Sequence, residues 1–77
     1  METKQTYFAE SNNNNYRMII ARNIHDAIAQ VAHDDVAIYH ESECVYSEEL
    51  NNYAGYDASA ILENEKWEIL EIHQTLN

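Results

Sequence analysis

The side chains able to do chemistry in this chain are four histidines, one cysteine and fourteen carboxylates, and their spacing decides which chemistry is open to them. For metal binding, His40 and Cys44 lie four apart, and Asp34 and Asp35 follow His33 directly. A structural zinc site wants four soft ligands at defined intervals, and no CxxC, HExxH or paired Cys/His spacing occurs. His25 and His33 stand two turns apart on the polar side of a helical stripe, where solvation suits them. For nucleophilic catalysis, Cys44 or Ser47 with His40 supplies the residue types, but a nucleophile also needs a base within reach and a group that orients the base. Cys44 is flanked by Glu41, Glu43, Glu48 and Glu49, and negative neighbours raise a thiol pKa rather than activate it. Glycosidase-like work needs a cleft holding two carboxyl groups about 5–9 Å apart, and a chain of 77 residues has little room for one. A single glycine and no proline exclude a Walker loop, a dinucleotide fingerprint and a Gly-flanked nucleophile elbow. The expectation is a protein that is not an enzyme and has no cofactor and no metal.

What the carboxylates can do together is a separate matter. Residues 1–33 hold three acidic groups against three basic ones, whereas residues 34–77 hold eleven against Lys66 alone, so the whole net charge of −10 belongs to the second part. On an extended strand, residues i and i+2 point the same way about 6.6 Å apart. Glu41 and Glu43 have that spacing, as do Glu63 and Glu65 if they flank a terminal hairpin. Glu48 and Glu49 add two charges at the start of a short helix, and Asp57, Glu68 and Glu71 extend the field. Duplex DNA presents one negative charge per ~1.7 Å of axis, and a protein face of close carboxylates offers a comparable field to a basic surface. The other reading of this charge is solubility. Tyr46, Tyr53 and Tyr56 flank the acidic segment, either as hot-spot anchors or as filler in a small core.

The elements that position these groups follow from periodicity. Residues 3–10 and 16–22 read as strands joined by the Asx-rich SNNNN loop, a β-hairpin. Asn23 reads as an N-cap with Asp26 three residues on, and Ile24, Ala27, Ile28, Val31 and Ala32 form a helical stripe over 24–33. Residues 36–41 read as a strand. Ser47 reads as the cap of a second short helix over 48–54, with Gly55 at its C′ position. Residues 57–74 fit either a hairpin turning at 63–66 or one long helix, and the hairpin is preferred. The expected fold class is α+β: an antiparallel sheet of four to five strands with the main helix on one face. The core expected beneath the stripe is Phe8, Met18, Ile20, Val36, Ile38, Ile69 and Ile72.

Length and composition bound the rest. A 9.0 kDa chain with 45% hydrophobic and 23% charged residues is expected to be one compact domain, 1–77. One cysteine makes no internal disulfide, the polar N-terminus shows no signal peptide, and the apolar runs are far shorter than the ~20 residues of a bilayer span. The expectation is a cytoplasmic protein, in the host cytoplasm if it is phage-encoded. Repulsion disfavours nucleic acid and anionic membranes as direct partners and favours a basic protein surface.

One small acidic domain, without a catalytic motif, Asn-rich, its negative charge concentrated, resembles in type the small acidic inhibitors that phages and mobile elements make against host defence: the anti-CRISPR and anti-restriction proteins of the DNA-mimic kind. No motif is shared, so no residue role carries over. The resemblance implies an inhibitor that occupies the basic nucleic-acid channel of a CRISPR effector or restriction enzyme and blocks DNA binding, acting as monomer or homodimer. The alternative class is a non-catalytic accessory or immunity-type module that binds its partner through apolar patches.

Overall fold

Alternating polar and apolar residues draw most of the chain into short strands in the computed structural model, which describes residues 3–70. β1 (Gln5–Ser11) and β2 (Tyr16–Ala21) form the expected hairpin. The asparagine run closes it: Asn14 takes the left-handed conformation at φ 68°, Ser11 N–H donates to Asn15 O at 2.8 Å, and Ser11 Oγ donates to Asn13 Oδ1. A helix, α1 (Ile24–Ile28), then leads into β3 (Asp35–His40), followed by a 3₁₀ turn at Glu41–Glu43. β4 (Cys44–Ser47) and β5 (Asn52–Gly55) pair as a hairpin of their own, as do β6 (Ala60–Glu63) and β7 (Lys66–Ile69). The main sheet is antiparallel throughout, in the order β2-β1-β3-β6-β7, and β4-β5 is a separate two-stranded sheet.

Strand register divides the main sheet into two faces. On one, Tyr7, Ala9, Ile19, Ala21, Ile38 and Ala60 are buried with Ile24 and Ala27 of α1, and Ile28, Val31 and Trp67 pack at the margin. On the other, Phe8, Tyr16 and Tyr39 meet the β4-β5 hairpin: Phe8 stacks on Tyr53 at 4.6 Å, and the backbone of Gly55 lies against the Tyr39 ring.

This architecture corrects the expected α+β class. The described residues are mostly β, with a five-stranded sheet, a two-stranded sheet and no main helix among them. Asn23 does cap α1, its side chain accepting from Asp26 N at 2.8 Å, but the carboxylate of Asp26 reaches Arg22 N rather than the cap residue. The helix stops at Ile28 instead of running to 33. Gln30 N and Val31 N bond three residues back, the Gln30 side chain leaves for Ile20 O, and Asp35 captures Ala32 N–H at 2.8 Å, turning the chain into β3. Ile24, Ala27, Ile28 and Val31 still reach the core; Ala32 is exposed. One helical turn followed by 3₁₀ turns preserves the stripe that a longer helix would have shown.

The second helix expected over 48–54 does not form. Those residues make a turn and β5, because a seven-residue helix has little stability of its own, whereas the strand lets Tyr53 stack on Phe8 and face Tyr46. The expected core is also shifted in register. Phe8, Met18 and Ile20 project to the face opposite α1, Met18 and Ile20 are 56% and 46% exposed, and Val36 sits half-buried at a register shift. Ile38 is at the centre as expected, Ile69 is at the rim, and Ile72 lies outside the described residues. The C-terminal segment does form the preferred hairpin, turning at Asn64-Glu65, both with positive φ. Among the described residues, no helix is long and apolar enough to cross a membrane.

Candidate protein-binding surface

The β4-β5 hairpin carries most of the residues expected to meet a partner, and strand alternation decides how it presents them. Cys44, Tyr46, Tyr53 and Gly55 turn towards the sheet, and Val45 and Ala54 turn away. Three contacts hold the hairpin down. Phe8 and Tyr53 are stacked with 26° between their planes, Tyr16 Oη accepts from Gly55 N at 3.2 Å, and Asn52 Nδ2 donates to Asn14 O at 2.7 Å. Gly55 is glycine because of close approach: a Cβ there would sit 2.4 Å from Tyr39 Cδ2. Its role is therefore not that of a helix C′ residue.

Beneath the hairpin lies a polar aromatic layer. Tyr39 Oη donates to Glu10 Oε1 at 3.1 Å, and Tyr39 and Tyr16 rings are 5.9 Å apart. Burial, reinforced by Glu10, holds the Tyr39 phenol far above its ordinary range, and burial raises Tyr16 as well. Burial also raises the Cys44 thiol, with Glu10 adding to it. Cys44 is thus a poor nucleophile, chiefly through burial, and the carboxylate that adds to the effect is Glu10 rather than Glu41, Glu43, Glu48 or Glu49. His40 is engaged elsewhere: Nε2 donates to Gln5 Oε1 at 2.8 Å and Nδ1 accepts from Ser42 Oγ at 2.9 Å. Among the described residues, no three His, Cys, Asp or Glu side chains are arranged to hold a metal ion.

The expected acidic residues fall into two groups. Glu41 and Glu43 belong to the 3₁₀ turn rather than to a strand, so they do not share a strand face; Glu43 O accepts from Tyr56 N at 2.9 Å, which brings Tyr56 and Asp57 to the same base of the hairpin. Glu48 and Glu49 lie in the turn at its other end, not in the first turn of a helix. That tip is tied to Asn14, at the end of the sheet where β3 begins at Asp35, and register places Glu63 level with Asp35. Glu63 and Glu65 thus join Glu48, Glu49 and Asp34 at one end of the sheet, Glu68 stands on edge strand β7, and Glu71 lies outside the described residues. The four residues expected to lead the contact, Glu41, Glu43, Glu48 and Glu49, bracket the hairpin rather than cluster. Glu41, Glu48, Glu49, Asp57, Glu63, Glu65 and Glu68 are exposed, and Glu43 and Asp34 are half-buried. Among the described residues, the ion pairs join Arg17 to Asp35 at 2.6 Å and Arg22 to Asp26 at 3.3 Å, neutralising none of the bracketing groups.

Between the two acidic ends lie exposed apolar and aromatic side chains that sequence reading assigned only in part: Val45 on the outward face of the hairpin, Tyr46 on its sheet-facing side, and Leu50 and Tyr56 at its tip and base, 49%, 51%, 67% and 68% exposed. Of the three tyrosines, Tyr46 and Tyr56 present themselves to solvent, and Tyr53 is the half-buried anchor. Glu10, Tyr16 and Tyr39, which seat the hairpin, were not assigned to the site from the sequence, where Tyr16 and Tyr39 read as residues of the core or its edge. The available signal was Glu10, a carboxylate inside an otherwise strand-forming segment. No family model matches the chain, and no curated protein or solved structure matches it either.

Proposed function

We propose that this chain is a non-catalytic binding protein whose β4-β5 hairpin occupies the basic, nucleic-acid-binding surface of a partner protein and excludes the nucleic acid. The observation that carries the reading is the bracket: carboxylates, mostly exposed, that have no cationic partner among the described residues stand at both ends of the hairpin, with exposed apolar and aromatic side chains between them. A four-residue strand spans about 13 Å, over which duplex DNA presents roughly eight charges. Glu41, Glu43, Asp57, Glu48 and Glu49 supply fewer than that, so the field alone is a sparse copy of DNA. The exposed side chains of Val45, Tyr46, Leu50 and Tyr56 on and around the hairpin supply the contact area that charge does not. A CRISPR effector complex or a restriction enzyme is the partner class implied by the resemblance to anti-CRISPR and anti-restriction inhibitors.

A specific observation favours a second reading, an accessory module that binds through apolar contacts: besides these hairpin side chains, Met18 and Ile20 are exposed on the hairpin side of the sheet. Charge reversal separates the two. The protein is titrated into a purified CRISPR effector complex, and into a purified restriction enzyme, each holding labelled DNA. The expected result is DNA displacement that weakens steeply with salt and drops by about tenfold or more in the E41K/E43K/E48K/E49K variant, with unchanged circular dichroism. No displacement from either, or a variant as potent as the wild type, overturns the electrostatic reading.

A further inference from the structure

The main sheet is not joined equally along its width. β1 pairs with β2 from Gln5↔Ala21 to Glu10↔Tyr16, and with β3 from Tyr7↔His40 to Ser11↔Asp35. β3 and β6 share only the register pairs Ala37↔Ile61 and Ile38↔Ala60, and among the described residues no other strand joins β6 and β7 to the sheet. A bulge explains why the seam is short. Against β1, β3 passes from Ala37 to Asp35 with Val36 as an extra residue, and a bulge bends its strand. Val36 is the residue that Leu62 of β6 would have to pair with next.

The other end of the seam carries a fault. Ser59 is 2% exposed, and its hydroxyl is the one buried side-chain polar atom among the described residues that has no hydrogen-bond partner. Its backbone is engaged on both sides: Ser59 N–H donates to Ile38 O at 2.7 Å, and Ser59 O accepts from Leu70 N at 2.7 Å. The closed seam therefore holds a desolvated hydroxyl that water would satisfy if the strands parted, which weighs against closure. Just before it, Asp57 and Ala58 make no backbone hydrogen bond to another described residue, whereas Tyr56 N–H is fixed to Glu43 O at 2.9 Å. A pivot thus lies between two anchored points.

We infer that the β6-β7 hairpin is a hinged flap, which swings away from β3 about Asp57–Ala58 while β1, β2, β3, α1 and the β4-β5 hairpin stay folded. Opening parts the two register pairs, hydrates the Ser59 hydroxyl, lifts Trp67 from the margin of the core and bares the edge of β3. A two-stranded hairpin by itself is marginal in water, so the amides of β6 and β7 lose protection together when the flap is open. The motion takes place within one copy of the chain. It rests on the seam and does not depend on the proposed function.

Native-state hydrogen exchange on the full chain tests it. The expected result is that the hydrogen-bonded amides of β6 and β7 exchange as one group, about tenfold or more faster than those shared by β1, β2 and β3. Trp67, the single tryptophan, gives a second probe: its emission moves to the red at urea concentrations below the midpoint seen by far-UV circular dichroism. Ser59→Ala removes the unpaired hydroxyl and slows exchange of the β6-β7 group by about tenfold. Ile19→Val, in β2 at the far edge of the sheet, lowers the protection of β1 and β2 and leaves the β6-β7 rate unchanged, because the flap opens without them. Exchange of β6 and β7 at the rate of the β1-β3 ladder, a β6-β7 rate that rises with Ile19→Val in step with β1, or a rate unmoved by Ser59→Ala overturns the inference.

Discussion

The face of the sheet under α1 and the face under the β4-β5 hairpin are made from the same strands and held by different physics. Under α1 the contacts are mainly aliphatic, around the buried ring of Tyr7: Ile38, Ala9, Ala21, Ala27 and Ala60 are fully buried, and the short helix lies close because so many of the residues beneath it are alanine. Under the hairpin they are aromatic and polar, with Phe8 stacked on Tyr53, Tyr39 bonded to Glu10 and Tyr16 bonded to Gly55. The first arrangement gains from area removed from water. The second gains from ring geometry and a few hydrogen bonds, which must be met together. The surface proposed to bind a partner sits on the second, so the binding groups ride on the less deeply buried layer.

That contrast predicts unequal responses to mutation. Ile38→Ala removes the central side chain of the aliphatic face and should cost about 2–5 kcal/mol, a large share of the roughly 4–12 kcal/mol expected for a domain of this size. Gly55→Ala places a methyl group into the Tyr39 ring and should cost about 1–3 kcal/mol by overpacking. The two should also differ in kind. By native-state hydrogen exchange, Gly55→Ala should speed exchange in β4 and β5 while β1 and β3 keep their protection, and Ile38→Ala should lower protection everywhere. If Gly55→Ala exposes both faces equally, they form one cooperative unit and the contrast fails.

Which parts of this were legible in the sequence follows the same division. The β1-β2 hairpin and the Asn23 cap were readable because the asparagines act locally, through left-handed backbone at Asn14 and a side-chain bond to Asp26 N. The terminal hairpin was readable from the ENEK turn, although a competing helical spacing obscured it. The inward register of β2 was not. Met18, Ile19 and Ile20 are consecutive and all apolar, so period-two reading has no polar partner to mark the outside. The hairpin over the second face was hidden for another reason. Its stability comes from Phe8, Tyr16 and Tyr39, some 30 or more residues earlier or on a separate strand, and local propensity cannot register a contact of that span. The acidic surface was therefore legible in composition and illegible in arrangement: once 41–43 became a 3₁₀ turn and 48–51 a hairpin tip, the carboxylates bracketed the site instead of lining it.

A smaller effect sharpens the contrast through pH. Tyr16 and Tyr39 keep their protons in the folded chain to higher pH than the ordinary tyrosine value of 10.0, through burial and Glu10. The folded state then binds more protons than the unfolded one above that value. The stabilisation is complete below pH 10.0 and is lost as pH rises beyond it. Thermal unfolding should thus show a steep alkaline decline, and exchange in β4 and β5 should accelerate first. Tyr39→Phe should flatten that decline while costing about 1 kcal/mol at neutral pH, where Glu10 loses its donor. An alkaline decline unchanged by Tyr39→Phe would remove this tyrosine from the account.

The smallest expected effect lies away from both layers, in the β6-β7 turn. Asn64 and Glu65 have φ of 53° and 65°, the pattern of a type I′ turn, which wants Asn-Gly. Asn14, Asn51 and Asn64 meet the left-handed requirement with the residue type that tolerates it, and Glu65 is the exception. Holding an ordinary L-residue there costs about 1–2 kcal/mol, and glycine returns part of the gain through its greater freedom in the unfolded chain. Glu65→Gly should therefore stabilise the fold by about 0.5–1 kcal/mol in chemical denaturation. The substitution also removes one carboxylate from the sheet end while leaving Glu41, Glu43 and Asp57 at the base of the hairpin. If binding runs along the β4-β5 hairpin, partner affinity should change little as stability rises. A large loss of affinity would move the contact surface from the hairpin to the end of the sheet, where Glu63 and Glu65 stand with Glu48 and Glu49.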